Sequence, residues 1–158
     1  MTQSVLDFLV GLPSWLYYVV ITFIPWIELR GAVPVAVAAG DRIYLPLILV
    51  VNWLVFFPTY FILEFFYDHI PEGSWLHRKL QKIREKGHRL VERYGVWGLV
   101  LFVAVPLPGT GAYSGTCAAW LLDVEWKRAF FTVGLGVTIA FFAVWGLAEL
   151  AVAGIELL

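Results

Sequence analysis

Residues 25–40 read PWIELRGAVPVAVAAG, and the reading of this stretch decides the fold. It lies inside an apolar region, yet Glu28 and Arg30 stand two residues apart, Gly31 follows directly, and Pro25 and Pro34 bracket the charges. A plain membrane span does not carry such a pair, because each charge at its centre costs about 2.5–3.5 kcal/mol on insertion scales. A simple core helix does not place one proline before the charges and another after them. The stretch predicts a broken helix whose tip sits at membrane depth.

On its N-terminal side, Ser14 to Ile24 is apolar and aromatic but covers only about 16 Å as a helix. That falls short of a hydrocarbon core about 30 Å thick. On its C-terminal side, Gly31 to Ala39 is a second short apolar piece. Two short halves joined at a polar break predict a re-entrant hairpin, which enters and leaves the bilayer on one side. The competing reading is a single kinked span over 14–39, since proline is tolerated in membrane helices.

Composition supports a membrane setting. The 158 residues fit one domain, 61% of them are hydrophobic, and the mean hydropathy is +0.81. Soluble chains average about 45–50% apolar residues. The lone Cys117 excludes an intrachain disulfide and a thiolate metal cluster, and it reads as a small buried packing residue. The opening MTQSVLDFLV has no basic segment, so no cleaved signal peptide is expected.

Beyond the charged corner Asp41-Arg42, Ile43 to Tyr67 is long enough for a first full span. Pro58 is expected to kink it, and Glu64, near Asp68 and His69, is expected at a wet interface. Pro71 to Tyr94 differs. Trp75, Leu76, Leu80, Ile83, Leu90, Val91 and Tyr94 recur at steps of three and four among nine basic side chains. This predicts an amphipathic basic helix over 75–94 lying on anionic head groups. Nucleic acid is the disfavoured alternative, given the flanking membrane segments. Val96 to Val105 is again too short to span. PLPGTG follows at 106–111, then a short piece, Ala112 to Leu122, and a second full span over 130–149. Gly134, Gly136 and Gly146 are expected to permit close helix contact there.

The same plan thus occurs twice: repeat unit one at 5–69, the amphipathic linker helix at 70–95, and repeat unit two at 96–158. The expected fold is an all-α integral membrane protein, an inverted repeat of re-entrant helical hairpin plus transmembrane helix. Of eleven Lys and Arg, 78–93 supply seven and Lys127 and Arg128 two more. All nine fall on one face in this topology, which the positive-inside rule makes cytoplasmic. Both termini and Arg42 then lie outside, in a multi-pass protein of the cell membrane.

Discontinuous helices place sites at mid-membrane. The returning half-helices start near Gly31 and Gly111, and helix starts favour anions. Arg30 adds a full positive charge, and Thr110, Tyr113, Ser114 and Thr116 offer hydroxyl donors. At depth, burial favours a neutral Glu28 while Arg30 favours its carboxylate, a balance suited to binding and releasing a proton. The plain alternative is that Glu28 and Arg30 only neutralise each other. Gly109, Gly111 and Gly115 have no preceding strand, so a dinucleotide loop is rejected, and Pro108 and Gly109 serve the turn first. His69, His77 and His88 lack metal-ligand spacing and read as interfacial. No nucleophile arrangement or paired carboxylates point to an enzyme, and no cofactor is implied. Trp15, Trp53, Trp75, Trp97, Trp126 and Trp145 read as interface anchors.

Together, IELRGAVP (27–34) and PLPGTGAYSG (106–115) resemble the family of small multidrug export proteins, distant relatives of the DedA/VTT membrane proteins. The resemblance covers nearly the whole chain. It implies two facing re-entrant hairpins, each followed by a span. DedA-type relatives are implicated in moving polyprenyl-phosphate or phospholipid carriers, with acidic and arginine residues in the hairpins. Glu28 and Arg30 match the first of these, whereas PLPGTG lacks the arginine common in the second.

The leading expectation is a proton-coupled transporter or flippase for an anionic amphiphile such as a polyprenyl phosphate. Arg30, Gly31, Gly109, Thr110, Gly111, Tyr113 and Ser114 would bind the head group, and Glu28 would carry the proton. An ion-coupled exporter of small molecules or drugs is the second reading. A non-transporting membrane factor that binds lipids or partners through helix 75–94 is the third. Self-association fits a bundle this small.

Overall fold

The protein is described by a computed structural model over residues 12–106 and 110–156, with side chains at 86–94 and 156 excepted. Within these residues all regular structure is helical. The helices are α1 (Ser14–Phe23), α2 (Glu28–Ala38), α3 (Leu45–Leu54), α4 (Phe56–Asp68), α5 (Trp75–Tyr94), α6 (Trp97–Ala104), α7 (Ala112–Leu121) and α8 (Trp126–Glu156), with a 3₁₀ turn at Arg42–Tyr44 before α3.

Two stretches are long and apolar enough to cross a membrane: Arg42–Asp68, of 27 residues, and Trp126–Ile155, of 30, each with a mean hydropathy of 2.0. The first is interrupted at Val55. Pro58 explains the interruption: it cannot donate to the Leu54 carbonyl four residues back, and its ring crowds that carbonyl. Packing divides the chain into two bodies. One holds the residues up to Asn52 with those from Phe141 on; the other is Trp53–Ala140.

In the first body, proline ends α1. Ile24 precedes Pro25, so it is pushed out of the helical region, to φ −75°, ψ 119°. The helix α2 packs back against α1. Its inner face is Leu29, Ala32, Val33, Ala36 and Val37, at helical steps of three and four, all buried. The helix stops where Gly40 turns left-handed at φ 78°. There Asp41 N–H bonds the Ala36 carbonyl at 2.8 Å and Gly40 N–H bonds that of Val37 at 3.1 Å. Asp41 is held in turn by the Tyr18 hydroxyl, which donates to Oδ2 at 2.8 Å. Arg42 and Glu149 form a two-pronged ion pair, both contacts at 2.7 Å.

The second body repeats these local devices. Val105 stands before Pro106 and is extended at φ −69°, ψ 120°, which ends α6. The helix α7 packs back on α6 and terminates like α2, with Asp123 in the left-handed position at φ 56°. Val124 N–H bonds the Ala119 carbonyl and Asp123 N–H that of Trp120, both at 3.1 Å. Glycine would adopt this conformation at lower cost, and Asp123 is fixed there by Arg84, whose Nη2 lies 2.7 Å from Oδ1. The Arg84 guanidinium also lies 5.0 Å from the Tyr67 ring centroid and 4.9 Å from that of Trp120. These contacts pin α5 to α4 and α7. Trp120 Nε1 donates to Glu64 Oε2 at 2.5 Å, so this half-exposed carboxylate near the end of α4 also ties α4 to α7.

Close helix contact follows the glycines only in part. A methyl at Gly136 would lie 2.6 Å from Val103 Cβ, and one at Gly115 2.4 Å from Val103 Cγ2. Val103 of α6 is therefore wedged between glycines of α7 and α8. Gly134 makes room for the Trp53 indole, whereas a methyl at Gly146 would meet nothing within 4 Å among the described residues. Trp53 is accordingly a packing residue rather than an interface anchor. Its Nε1 donates to Thr138 Oγ1 at 3.1 Å, and its ring meets Phe130 edge-on. Trp15, Trp75, Trp97 and Trp126 are exposed, as anchors would be.

Candidate functional site

The first proline break sits in the first body. Pro25 forces the turn, and the Ile24 carbonyl accepts from both Ile27 N–H and Glu28 N–H, each at 3.0 Å. Trp26 projects outward at the tip, 93% exposed. The chain re-enters helix at Glu28, three residues earlier than the sequence suggests. The Gly31 amide is therefore inside the first turn and bonds the Ile27 carbonyl at 2.9 Å. Gly31 has a packing role instead, because a methyl there would lie 2.4 Å from Ile27 Cγ2. The helix continues through Pro34.

Glu28 starts α2 in the left-handed region, at φ 47°. For a residue with a Cβ this costs roughly 1–2 kcal/mol. It is 4% exposed. Arg30 Nη1 lies 3.2 Å from Glu28 Oε2, and the Arg30 side chain is 15% exposed. Two residues of α2 thus place a full ion pair against the break, at a position where the backbone would prefer glycine.

The second break, in the other body, lies between Val105 and Gly111; residues 107–109, with Pro108 and Gly109, lie outside the described residues. Thr110 Oγ1 donates across the break to the Val105 carbonyl at 2.6 Å. Gly111 is the extended residue before α7, so this helix starts where the sequence places it. Ser114 Oγ donates to the Gly111 carbonyl at 3.2 Å, and the buried Thr116 Oγ1 to that of Ala112 at 2.6 Å. Three of the four hydroxyls expected to donate to a ligand are thus committed to backbone carbonyls, which leaves their oxygens as acceptors. Tyr113 is half-buried in the first turn of α7.

Sequence reasoning missed three polar links: Tyr18–Asp41, Arg42–Glu149 and Arg84–Asp123. Their partners lie 23, 107 and 39 residues apart, so no local spacing announces them. It also passed over Asn52. This residue is fully buried in α3, and among the described residues neither Oδ1 nor Nδ2 has a hydrogen-bond partner. Such an orphaned amide costs about 1–3 kcal/mol. Asn52→Leu is therefore expected to raise the unfolding free energy in detergent by about that amount; a clear loss would mean that the amide has a partner in solution. Among the described residues no three His, Cys, Asp or Glu side chains gather as metal ligands. Cys117 is half-buried and lines an apolar recess beside Trp120.

Two stretches long and apolar enough to cross a membrane, flanked by short helices that end at prolines, fit a helical membrane protein. A family model described as "Putative small multi-drug export protein" matches residues 28–143, and the chain belongs to this family. The match takes in Glu28, Arg30 and both PLPGTG and its return helix. No curated protein and no solved structure matches the chain.

Proposed function

We propose that the protein is a proton-coupled membrane transporter whose cargo is an anionic amphiphile with a phosphate head group, such as a polyprenyl phosphate. The observation that carries the reading is the Glu28–Arg30 pair: buried, at a helix break, and held on a backbone conformation unfavourable to Glu28. Strain of this kind persists where a side chain is needed for more than packing. Each helix–break–helix pair enters and leaves on one face of the membrane, the two pairs from opposite faces, with 75–94 in the cytoplasm and both termini outside.

The chemistry is an exchange of partners. An incoming phosphate competes with the Glu28 carboxylate for the Arg30 guanidinium, which suits phosphate geometry. Once displaced, a buried carboxylate without its counter-charge takes up a proton. Release of the phosphate restores the pair and returns the proton. Gly109, Thr110, Gly111, Tyr113 and Ser114 are the further residues we assign to the head group, Thr110 and Ser114 only once their hydroxyls leave the carbonyls of Val105 and Gly111.

The test is translocation of a labelled polyprenyl phosphate by purified protein in liposomes. Arg30→Ala and Glu28→Gln, folded and inserted, should each lose about tenfold or more of the rate. Wild-type rates in both variants would sink the proposal. The family description favours a second reading, an ion-coupled exporter of small molecules or drugs. Dye transport that lipid phosphates do not inhibit would decide for it.

A further inference from the structure

The basic side chains described on α5, from His77 to Arg84, do not form one uniform face. Three directions are distinct around the described part of α5. Leu80, His77 and Arg84 point into the second body: His77 stacks on Tyr67 at 5.2 Å, Leu80 lines the recess with Trp120, and Arg84 is held by Asp123 and two rings. Leu76 and Ile83 lie together on the next side, seven residues or about two turns apart, and remain 46% and 40% exposed. Beyond them, Trp75, Arg78, Lys79 and Lys82 follow steps of three and four and line a surface recess of about 310 Å³. Lys79 Nζ lies 4.7 Å from the centre of the Trp75 ring, which is itself 69% exposed.

We propose that this outward side of α5 is a docking surface for anionic phospholipid, with head-group phosphates seated at Arg78, Lys79 and Lys82 beside Trp75. Arg84, equally basic in sequence, takes no part, because its charge is spent on holding α5 in place. The exposed Leu76 and Ile83 choose the occupant. A solvated face or a nucleic-acid site has no use for bare leucine and isoleucine beside its lysines, whereas a bilayer accepts the apolar side and its head groups meet the basic one. Trp75 has the amphipathic form suited to that boundary. The placement agrees. Only residues 69–74 separate α5 from the end of the first membrane-length stretch at Asp68, so α5 begins within about 25 Å of it. This surface is independent of the cargo site: it uses no residue of either break, and its test does not involve transport.

The full-length protein in phosphatidylcholine nanodiscs, carrying traces of spin-labelled phosphatidylglycerol or spin-labelled phosphatidylcholine, gives the readout as the immobilised fraction of each label. The wild type should prefer the anionic lipid. The triple change R78Q, K79Q and K82Q should reduce that preference by about fivefold per charge removed, down to none, without altering the melting temperature. Removing charge elsewhere, with K127Q and R128Q, should leave it. The proposal is overturned if the wild type shows no preference, if the triple variant keeps it, or if K127Q with R128Q removes it equally. It is also overturned if inorganic phosphate at matched ionic strength abolishes the preference, or if zwitterionic discs capture a DNA oligomer in its place.

Discussion

Glu28→Ala should lower the stability of the detergent-solubilised protein by about 3–5 kcal/mol, more than any surface change. The reason is the position of the pair. Glu28 is 4% exposed and its carboxylate is the counter-charge 3.2 Å from Arg30 Nη1. Removing one member of a buried pair leaves a desolvated charge, which costs far more than the pair contributes. The same logic makes the double change Glu28→Ala with Arg30→Ala milder than Glu28→Ala alone, because the abandoned charge is gone too. A double-mutant cycle read by denaturant unfolding isolates this coupling. The backbone adds a second, separable term. At φ 47°, Glu28→Gly should recover roughly 1 kcal/mol relative to Glu28→Ala, with the pair absent from both. If the double variant were as unstable as the sum of the singles, the pair would not be coupled and its role at the break would fall.

Gly136→Ala should be the next most damaging single change, at about 1–3 kcal/mol. The added methyl would lie 2.6 Å from Val103 Cβ and 2.9 Å from the Val100 carbonyl oxygen. Val103 is fully buried and has Gly115 on its other side, so it has nowhere to retreat. Space made on α6 should relieve part of the clash: Val103→Ala combined with Gly136→Ala should be less destabilised than the two single costs summed. The Val100 carbonyl belongs to the backbone and cannot be trimmed, so relief should be incomplete. Strict additivity in thermal or chemical unfolding would show that Val103 is not the wedge between these helices. At Gly146, where nothing lies within reach of a methyl, the same substitution should have no such effect.

Much of the local architecture was legible because it depends on neighbours in the chain. Pro25 and Pro106 each force the preceding residue out of the helix, so the ends of α1 and α6 could be read from two letters. The amphipathic helix and both long apolar stretches followed from periodicity and length. The start of α2 was misplaced because Glu28 adopts a left-handed conformation that glycine favours, and Gly31 was the obvious candidate. The hydroxyls near PLPGTG were read as ligand donors because sequence cannot tell that Thr110 and Ser114 satisfy nearby carbonyls first. Trp53 was assigned to an interface from its place in a span, and its partner Thr138 lies 85 residues away; the Trp120 that binds Glu64 is 56 residues distant and equally invisible to local spacing. Arg84 belongs to the same class of error, since nothing in its spacing separates it from Lys82.

The reading of the site depends on how residues 14–39 meet the bilayer, and cysteine labelling measures this directly. In a Cys117→Ala background, Ser14→Cys, Ala39→Cys and Glu72→Cys each place a thiol at an exposed position. An impermeant maleimide applied from one side of sealed vesicles should label positions 14 and 39 together and position 72 only from the other side. Labelling of 14 and 39 from opposite sides would make the stretch an ordinary span and contradict the re-entrant break.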